Sequence, residues 1–231
     1  DATGDADICY LAGEETESLD SNVLCGWFYT LDENELKLRK VSNKFSKYAD
    51  REGAVGPFFR GDDGDEVTAH VLGSHELMRE NLERFREQAP DSDMQIIMHP
   101  SIACFRMTRR LVGAMSLSEK DMHTWFDDMV GYTGDWRNRG PVYAIPMRTL
   151  CGVKMKNLMA VGRCMSSDTT VWDVTRVIPT CVLTGEAAGV AGAMAVQNSC
   201  GEVHSVPVCA LRDRLEKQGG LFDPDLCLPV E

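Results

Sequence analysis

"NLMAVGRCMSS" (157–167) decides how this chain is read. An apolar run stops at Gly162 and Arg163, a short polar loop follows, and "RVIPTC" (176–181) opens a long helix rich in small residues. The pattern predicts a buried strand over 157–163, a turn bare of side chain, and a helix over 179–197 with Pro179 in its first turn, where a missing N–H costs nothing. A strand ending in glycine lets backbone approach a planar ring with no side chain between them. A helix N-terminus offers free N–H groups and about half a positive charge. Both features suit an acceptor that becomes an anion. The pyrimidine edge of a flavin is one, because its N1–C2=O region gains negative charge on reduction, and a phosphate fits the same physics. Farther along the helix, Gly185, Ala188, Gly189, Gly192, Ala193 and Ala195 leave one side almost without side chains. Glycine costs a helix interior about 1 kcal/mol, so the pattern predicts close packing on a sheet or a flat ligand.

The 231 residues suffice for one large domain or two small ones, and 43% hydrophobic with 26% charged residues is ordinary globular composition. Net charge is −12, and the densest basic cluster is "RMTRR" (106–110). That leaves no footprint for nucleic acid or an anionic membrane. Nine cysteines lie scattered with no C-x-x-C pair, which argues against zinc ribbons and Fe–S sites and predicts reduced, buried thiols in a cytoplasmic protein. The opening "DATGDADICYLAG" has no basic region of a signal peptide, and the longest apolar stretch carries Glu186 and glycines, so no membrane span is expected. No metal site is expected either. His70 and His75 are off the i, i+4 spacing, and "GDDGDE" (61–66) lacks a calcium loop's alternation and distal glutamate.

Upstream, Leu38, Val41, Phe45 and Tyr48 predict a helix over 33–49, and Leu77, Met78, Leu82 and Phe85 predict another over 74–88. Strand segments broken at Pro100 are expected over 93–117. Ser118 with Asp121 forms a capping box, and Met122, Trp125, Phe126 and Met129 predict a helix after it. A loop over 131–140, an extended piece over 141–150 and a final helix over 206–217 complete the reading.

Five blocks occur in order: "DATGDAD" (1–7), "RMTRRLVG" (106–113), "YAIPMRTL" (143–150), "NLMAVGRCMSS" (157–167) and "RVIPTCVLTGEAAGVAGAMA" (176–195). Together they resemble the C-terminal portion of the bacterial FAD-dependent oxidoreductases, of the glutathione-reductase-like flavoprotein class. The closing "CALRDRLEKQGGLF" (209–222) is similar to that family's tail. The resemblance implies a mixed α/β fold: an incomplete FAD-binding Rossmann-like domain with an inserted substrate or cap domain. The implied segments are 1–15 as the last strand region of the FAD-binding domain, 16–150 as cap, 151–200 as returning strand and helix, and 201–231 as a helical tail.

The resemblance also assigns residues. Ala2, Thr3 and Gly4 would run close to the ADP moiety of FAD, with Asp5 following near the ribityl–pyrophosphate region. Gly162 and Arg163 would face the pyrophosphate and ribityl chain. Arg176, Pro179 and Thr180 would start the helix beside the flavin pyrimidine, and Gly185 would be its close-packing position. Arg106, Arg109 and Arg110 match an R-x-x-R-R segment entering the substrate side, where a guanidinium fork suits a carboxylate; ordinary ion pairing in an acidic protein is the plainer role for any one of them. Tyr143 and Arg148 are expected to line the flavin's reactive face. His99, His123, Tyr143 and Asp168 are the candidates for a proton acceptor or donor, with a core role equally open to His99.

No G-x-G-x-x-G occurs in the sequence, so the loop that cradles the FAD pyrophosphate is expected from a complementary polypeptide. The function implied is hydride transfer between FAD and a small organic substrate. The alternative is a non-catalytic subunit or scaffold that keeps a degenerate flavoprotein fold.

Overall fold

The computed structural model of the chain describes residues 8–11, 14–18, 24–42, 57–99, 105, 106 and 108–229. In chain order these hold β1 (Ile8–Leu11), β2 (Glu14–Ser18), β3 (Cys25–Asp32), β4 (Glu35–Ser42), α1 (Gly64–Gln88), β5 (Gln95–Met98), β6 (Arg109–Leu111), β7 (Met129–Gly134), β8 (Val142–Pro146), α2 (Thr169–Thr175), α3 (Ile178–Asn198) and α4 (Val208–Lys217). The fold is mixed α/β. It divides into two units, one of residues 1–17 with 109–231 and one of residues 18–108.

The 18–108 unit is a three-stranded sheet, order β4-β3-β5, with α1 on one face. Its hairpin corrects the helix expected over 33–49: β3 pairs antiparallel with β4 from Cys25↔Ser42 to Asp32↔Glu35. Glu33 and Asn34 take φ of 48° and 67°, the left-handed pair that a two-residue hairpin turn requires. The remainder of that predicted helix lies outside the described residues. Gly26 lets the sheet meet α1, because a Cβ there would come 2.0 Å from Met78 Cε. Met78 packs with the fully buried Phe28. Helix α1 starts ten residues before its apolar stripe predicts, since Asp63 of "GDDGDE" (61–66) caps it by accepting the N–H groups of Asp65 (2.9 Å) and Glu66 (3.1 Å).

The other unit holds the sheet β1-β2-β6, the hairpin β7–β8 and helices α2 to α4. Ile145, Leu150, Met165, Ala187, Ala191 and Leu211 are wholly buried in its core. Glu14, 1% exposed, points its carboxylate into a concavity of successive backbone N–H groups. It accepts from Val153 (2.9 Å), Lys154 (2.6 Å) and Met155. Gly152 makes room for it: a Cβ there would lie 2.1 Å from the carboxyl carbon.

Three expectations in this unit are corrected. The capping box forms, with Asp121 Oδ2 accepting from the N–H (2.8 Å) and hydroxyl (2.9 Å) of Ser118. It starts only the single 3-10 turn Glu119–Asp121. His123 then takes a left-handed φ of 55°, its Nδ1 sits 2.9 Å from the Cys227 carbonyl, and the chain turns into β7 at Met129. The apolar stripe from Met122 to Met129 is core packing on irregular backbone, and the loop expected over 131–140 begins only after Gly134. Over 157–163 there is no regular strand. Met159 makes one isolated antiparallel bridge with Cys151, the Ala160 N–H donates to the Leu150 carbonyl (2.8 Å), and Gly162–Cys164 forms a 3-10 turn.

Helix α3 is as expected in extent, but of its small-residue face only Ala195 is fully buried. Thr180, Thr184, Ala187, Ala191, Met194 and Ala195 turn inward. Ile178, Val182, Gly185, Gly189 and Val196 lie along the outer side, and among the described residues nothing comes within 4 Å of a Cβ placed on Gly185 or Gly189. By length and composition alone α3 could cross a membrane, with 33% of its most apolar window buried. Open space at a mid-helix glycine means that alanine gains helix propensity with no clash. Gly185→Ala combined with Gly189→Ala is expected to stabilise the chain by about 1–2 kcal/mol in chemical denaturation. A lower midpoint than wild type would mean that this face is packed.

Candidate functional site

The turn at 162–164 and the junction between α2 and α3 bring together five of the sequence-predicted cofactor residues, Gly162, Arg163, Arg176, Pro179 and Thr180. Gly162 has φ +64°, a conformation that favours glycine, and a Cβ there would come 3.1 Å from Cys181 Sγ on α3. Its N–H donates to Thr184 Oγ1 (3.1 Å), which itself donates to the Thr180 carbonyl (2.8 Å). The bare side of Gly162 therefore serves the approach of the turn to α3. Arg163 is exposed, and its carbonyl accepts the indole N–H of Trp172 (3.0 Å), whose side chain is 1% exposed. That bond fixes the turn to α2.

Arg176, at the end of α2, lays its guanidinium over the Trp172 ring, 5.1 Å from the centroid. Its Nε donates to Asp173 Oδ1 (3.0 Å). Asp173 is 1% exposed and also accepts from Arg137 Nη1 (3.3 Å). Arg137 in turn forks onto Asp135, Nε to Oδ1 at 2.8 Å and Nη2 to Oδ2 at 2.7 Å. Those charge-assisted bonds, working against burial, hold the Asp135 carboxyl below its ordinary range. Two guanidiniums and two carboxylates thus neutralise one another in a largely buried cluster.

Two residues farther, α3 begins without a cap. Val177 offers no side-chain acceptor, no acidic residue lies in the first turn, and Pro179 has no N–H. The positive end of the helix is left for another acceptor. Thr180 does not share in this. Its hydroxyl donates to the Val174 carbonyl (3.1 Å), meets Thr133 Oγ1 at 2.6 Å and is buried. Alongside lies an open groove of about 470 Å³ between α3, β7 and the segment after α4. Its walls include Val130, Tyr132, Pro179, Val182, Leu183 and Phe222, with Glu186 its one charged lining residue. Gly185 sits on the outer face of α3, in open space instead of at a close contact.

The expected catalytic residues are not gathered. Tyr143 is 1% exposed and packs with Leu117, Val171 and Val174, where burial pushes its phenol up; its ring is core and lines no reactive face. Arg148 pairs with Asp128 and stacks over Phe126, 5.1 Å from the centroid. Arg110 pairs with Glu17 and donates to Ser116 Oγ (2.7 Å), the plain ion-pair role. His99 belongs to the 18–108 unit, its ring 5.0 Å from that of His75, with burial and then the charges of His75 and Arg79 pushing its imidazole down. Ala2, Thr3, Gly4 and Asp5 lie outside the described residues. Sequence reasoning missed Asp135, Arg137, Trp172 and Asp173. "WDVTR" (172–176) carried a signal for one of them, since Asp173 stands at i, i+3 from Arg176 on a helix.

The profile of the FAD dependent oxidoreductases matches residues 29–215, and the chain belongs to that family. The family's cofactor is FAD. No curated protein and no solved structure matches the chain. The junction suits the acceptor edge of a flavin by its donors: an uncapped helix N-terminus with no acid in its first turn, beside a guanidinium whose Nη groups have no hydrogen-bond partner among the described residues.

Proposed function

We propose that this chain forms the flavin end of a cytoplasmic, bacterial FAD-dependent oxidoreductase of the glutathione-reductase-like class, which moves a hydride between FAD and a small organic molecule. The observation that carries this reading is the α2–α3 junction, where Arg176 lies beside an uncapped helix N-terminus. FAD supplies the hydride chemistry when bound. Arg176 and the first amides of α3 would hold its N1–C2=O edge, and Trp172 with Asp173 would keep that arginine in place. Arg163, exposed on the adjoining turn, would meet the more polar part of the cofactor.

A second polypeptide segment carrying G-x-G-x-x-G completes the proposed enzyme. Support comes from the outer stripe of α3, where Ile178 is 80%, Val182 62% and Val196 76% exposed. Apolar area of this kind gains about 25 cal/mol for each Å² removed from water, and the glycines between would let a sheet come close. In the scaffold reading the same face docks a partner with no chemistry. That reading draws on Tyr143 being core and on Arg110 and Arg148 being engaged in ion pairs.

The test is the visible spectrum of the purified native assembly. A stoichiometric flavin band that bleaches anaerobically with a small organic substrate supports the enzyme, and an assembly without flavin supports the scaffold. Within the enzyme reading, Arg176→Ala is expected to weaken FAD by about 1.5–3 kcal/mol, read as the dissociation constant in a fluorescence titration. Unchanged affinity would remove Arg176 from the site.

A further inference from the structure

The Arg176 guanidinium is a donor set held from behind. Only 16% of its side chain is exposed, one face rests on Trp172, and Nε is engaged by Asp173 Oδ1 at 3.0 Å. Among the described residues its two Nη groups make no hydrogen bond. An arginine side chain ordinarily keeps many rotamers, and losing them on binding opposes affinity. An arginine immobilised beforehand avoids that loss. Asp173 is itself immobilised. Its carboxylate is 1% exposed, Oδ2 is taken by Arg137, which is anchored on Asp135, and its own carbonyl accepts the indole N–H of Trp136 at 3.0 Å.

We propose that Asp173 is a positioning residue for the cofactor: through its buried bond to Nε it fixes Arg176 on Trp172 so that the two Nη groups meet the flavin's acceptor edge already oriented. Arg137 and Asp135 act one step farther back, neutralising and orienting Asp173. Only Arg176 touches FAD. The proposal rests on the flavin reading of the α2–α3 junction, and its test separates the two.

The experiment is a double-mutant cycle of Asp173→Asn and Arg176→Met in the native assembly, with two readouts. The first is FAD affinity. Asp173→Asn alone is expected to loosen FAD by about tenfold, and in the Arg176→Met background it should change affinity no further. Additive losses would overturn the proposal, because a merely structural role of Asp173 does not depend on Arg176. The second is the Arg176 Nε–H resonance in the nitrogen-15 spectrum of the flavin-free protein, assigned by its loss in Arg176→Met. A slowly exchanging Nε–H that becomes fast in Asp173→Asn supports positioning. An Nε–H that exchanges in wild type like that of any exposed arginine overturns it. Should the wild-type assembly hold no FAD, the flavin reading fails and the resonance still decides whether Asp173 fixes Arg176. If Asp173→Asn does not fold, Asp173→Glu enters the same cycle, keeping the charge while displacing the carboxylate. Non-additive loss of affinity and faster Nε–H exchange then support positioning, and additive loss overturns it.

Discussion

Glu14→Gln is expected to destabilise the chain by roughly 3–5 kcal/mol. The glutamate carboxylate receives the N–H groups of Val153, Lys154 and Met155 in a space that Gly152 leaves open. An amide keeps the shape but turns an NH2 group toward donors, so part of the concavity is left unsatisfied and buried. The same contact predicts a pH limb. Burial pushes the Glu14 carboxyl up, but the N–H groups of Met155, Val153 and Lys154 outweigh it, and the carboxyl sits below its ordinary range. A carboxyl depressed in the folded state contributes stability that is complete above the unfolded value and is lost as pH falls through the folded one. Urea midpoints measured from neutral to acid pH should show wild type and Glu14→Gln converging at the acid end. A constant gap at every pH would mean that the ionised carboxylate is not what holds the 152–155 segment.

Trp172→Ala is the second large effect, at about 3–5 kcal/mol. Trp172 heads the fully buried side chains by volume, and its removal opens a cavity, strips the support under Arg176 and orphans the Arg163 carbonyl. Trp172→Phe keeps a ring beneath the guanidinium and loses the N–H donor, so it should cost only about 1–2 kcal/mol. Calorimetric melting of the two variants decides the matter. Equal melting temperatures for Phe and Ala would show that the ring itself contributes little.

The second half of the sequence was the more legible, and the reasons are local. Helix α3 announces itself because Pro179 in its first turn and a long run with no further proline leave no competing pattern. Helix α4 does so by Pro207 before it and Gly219 after it, the latter at φ 100°. The 33–49 region misled because Leu38 and Val41 fall at helical spacing, while the stronger signal was alternation: Leu36 and Leu38 set off by Lys37 and Arg39 around a Glu33–Asn34 turn. The apolar run at 157–163 looked like a central strand because composition alone cannot tell burial against helices from pairing in a sheet; its single bridge partner is Cys151. Half of the candidate site was readable for a similar reason. Gly162, Arg176 and Pro179 lie close together in sequence, within blocks whose order is diagnostic. Asp135 and Arg137 come from the β7–β8 turn, and nothing in one sequence says that this turn folds back on α2.

The pairing of β2 with β6 has a consequence for how such proteins change over time. Glu15 and Glu17 on β2 meet Val112 and Arg110 around β6, through a 2.9 Å backbone bond and an ion pair. The chain therefore departs at Glu17 and returns at Arg109 on adjacent strands, with residues 18–108 forming a parenthesis between them. A parenthesis whose two brackets touch can be lengthened, shortened or traded for another without re-threading the text around it, because loop closure is already met by the strands themselves. A gene with this one seam could diversify by exchange of whole segments, leaving the residues around Arg176 under separate selection.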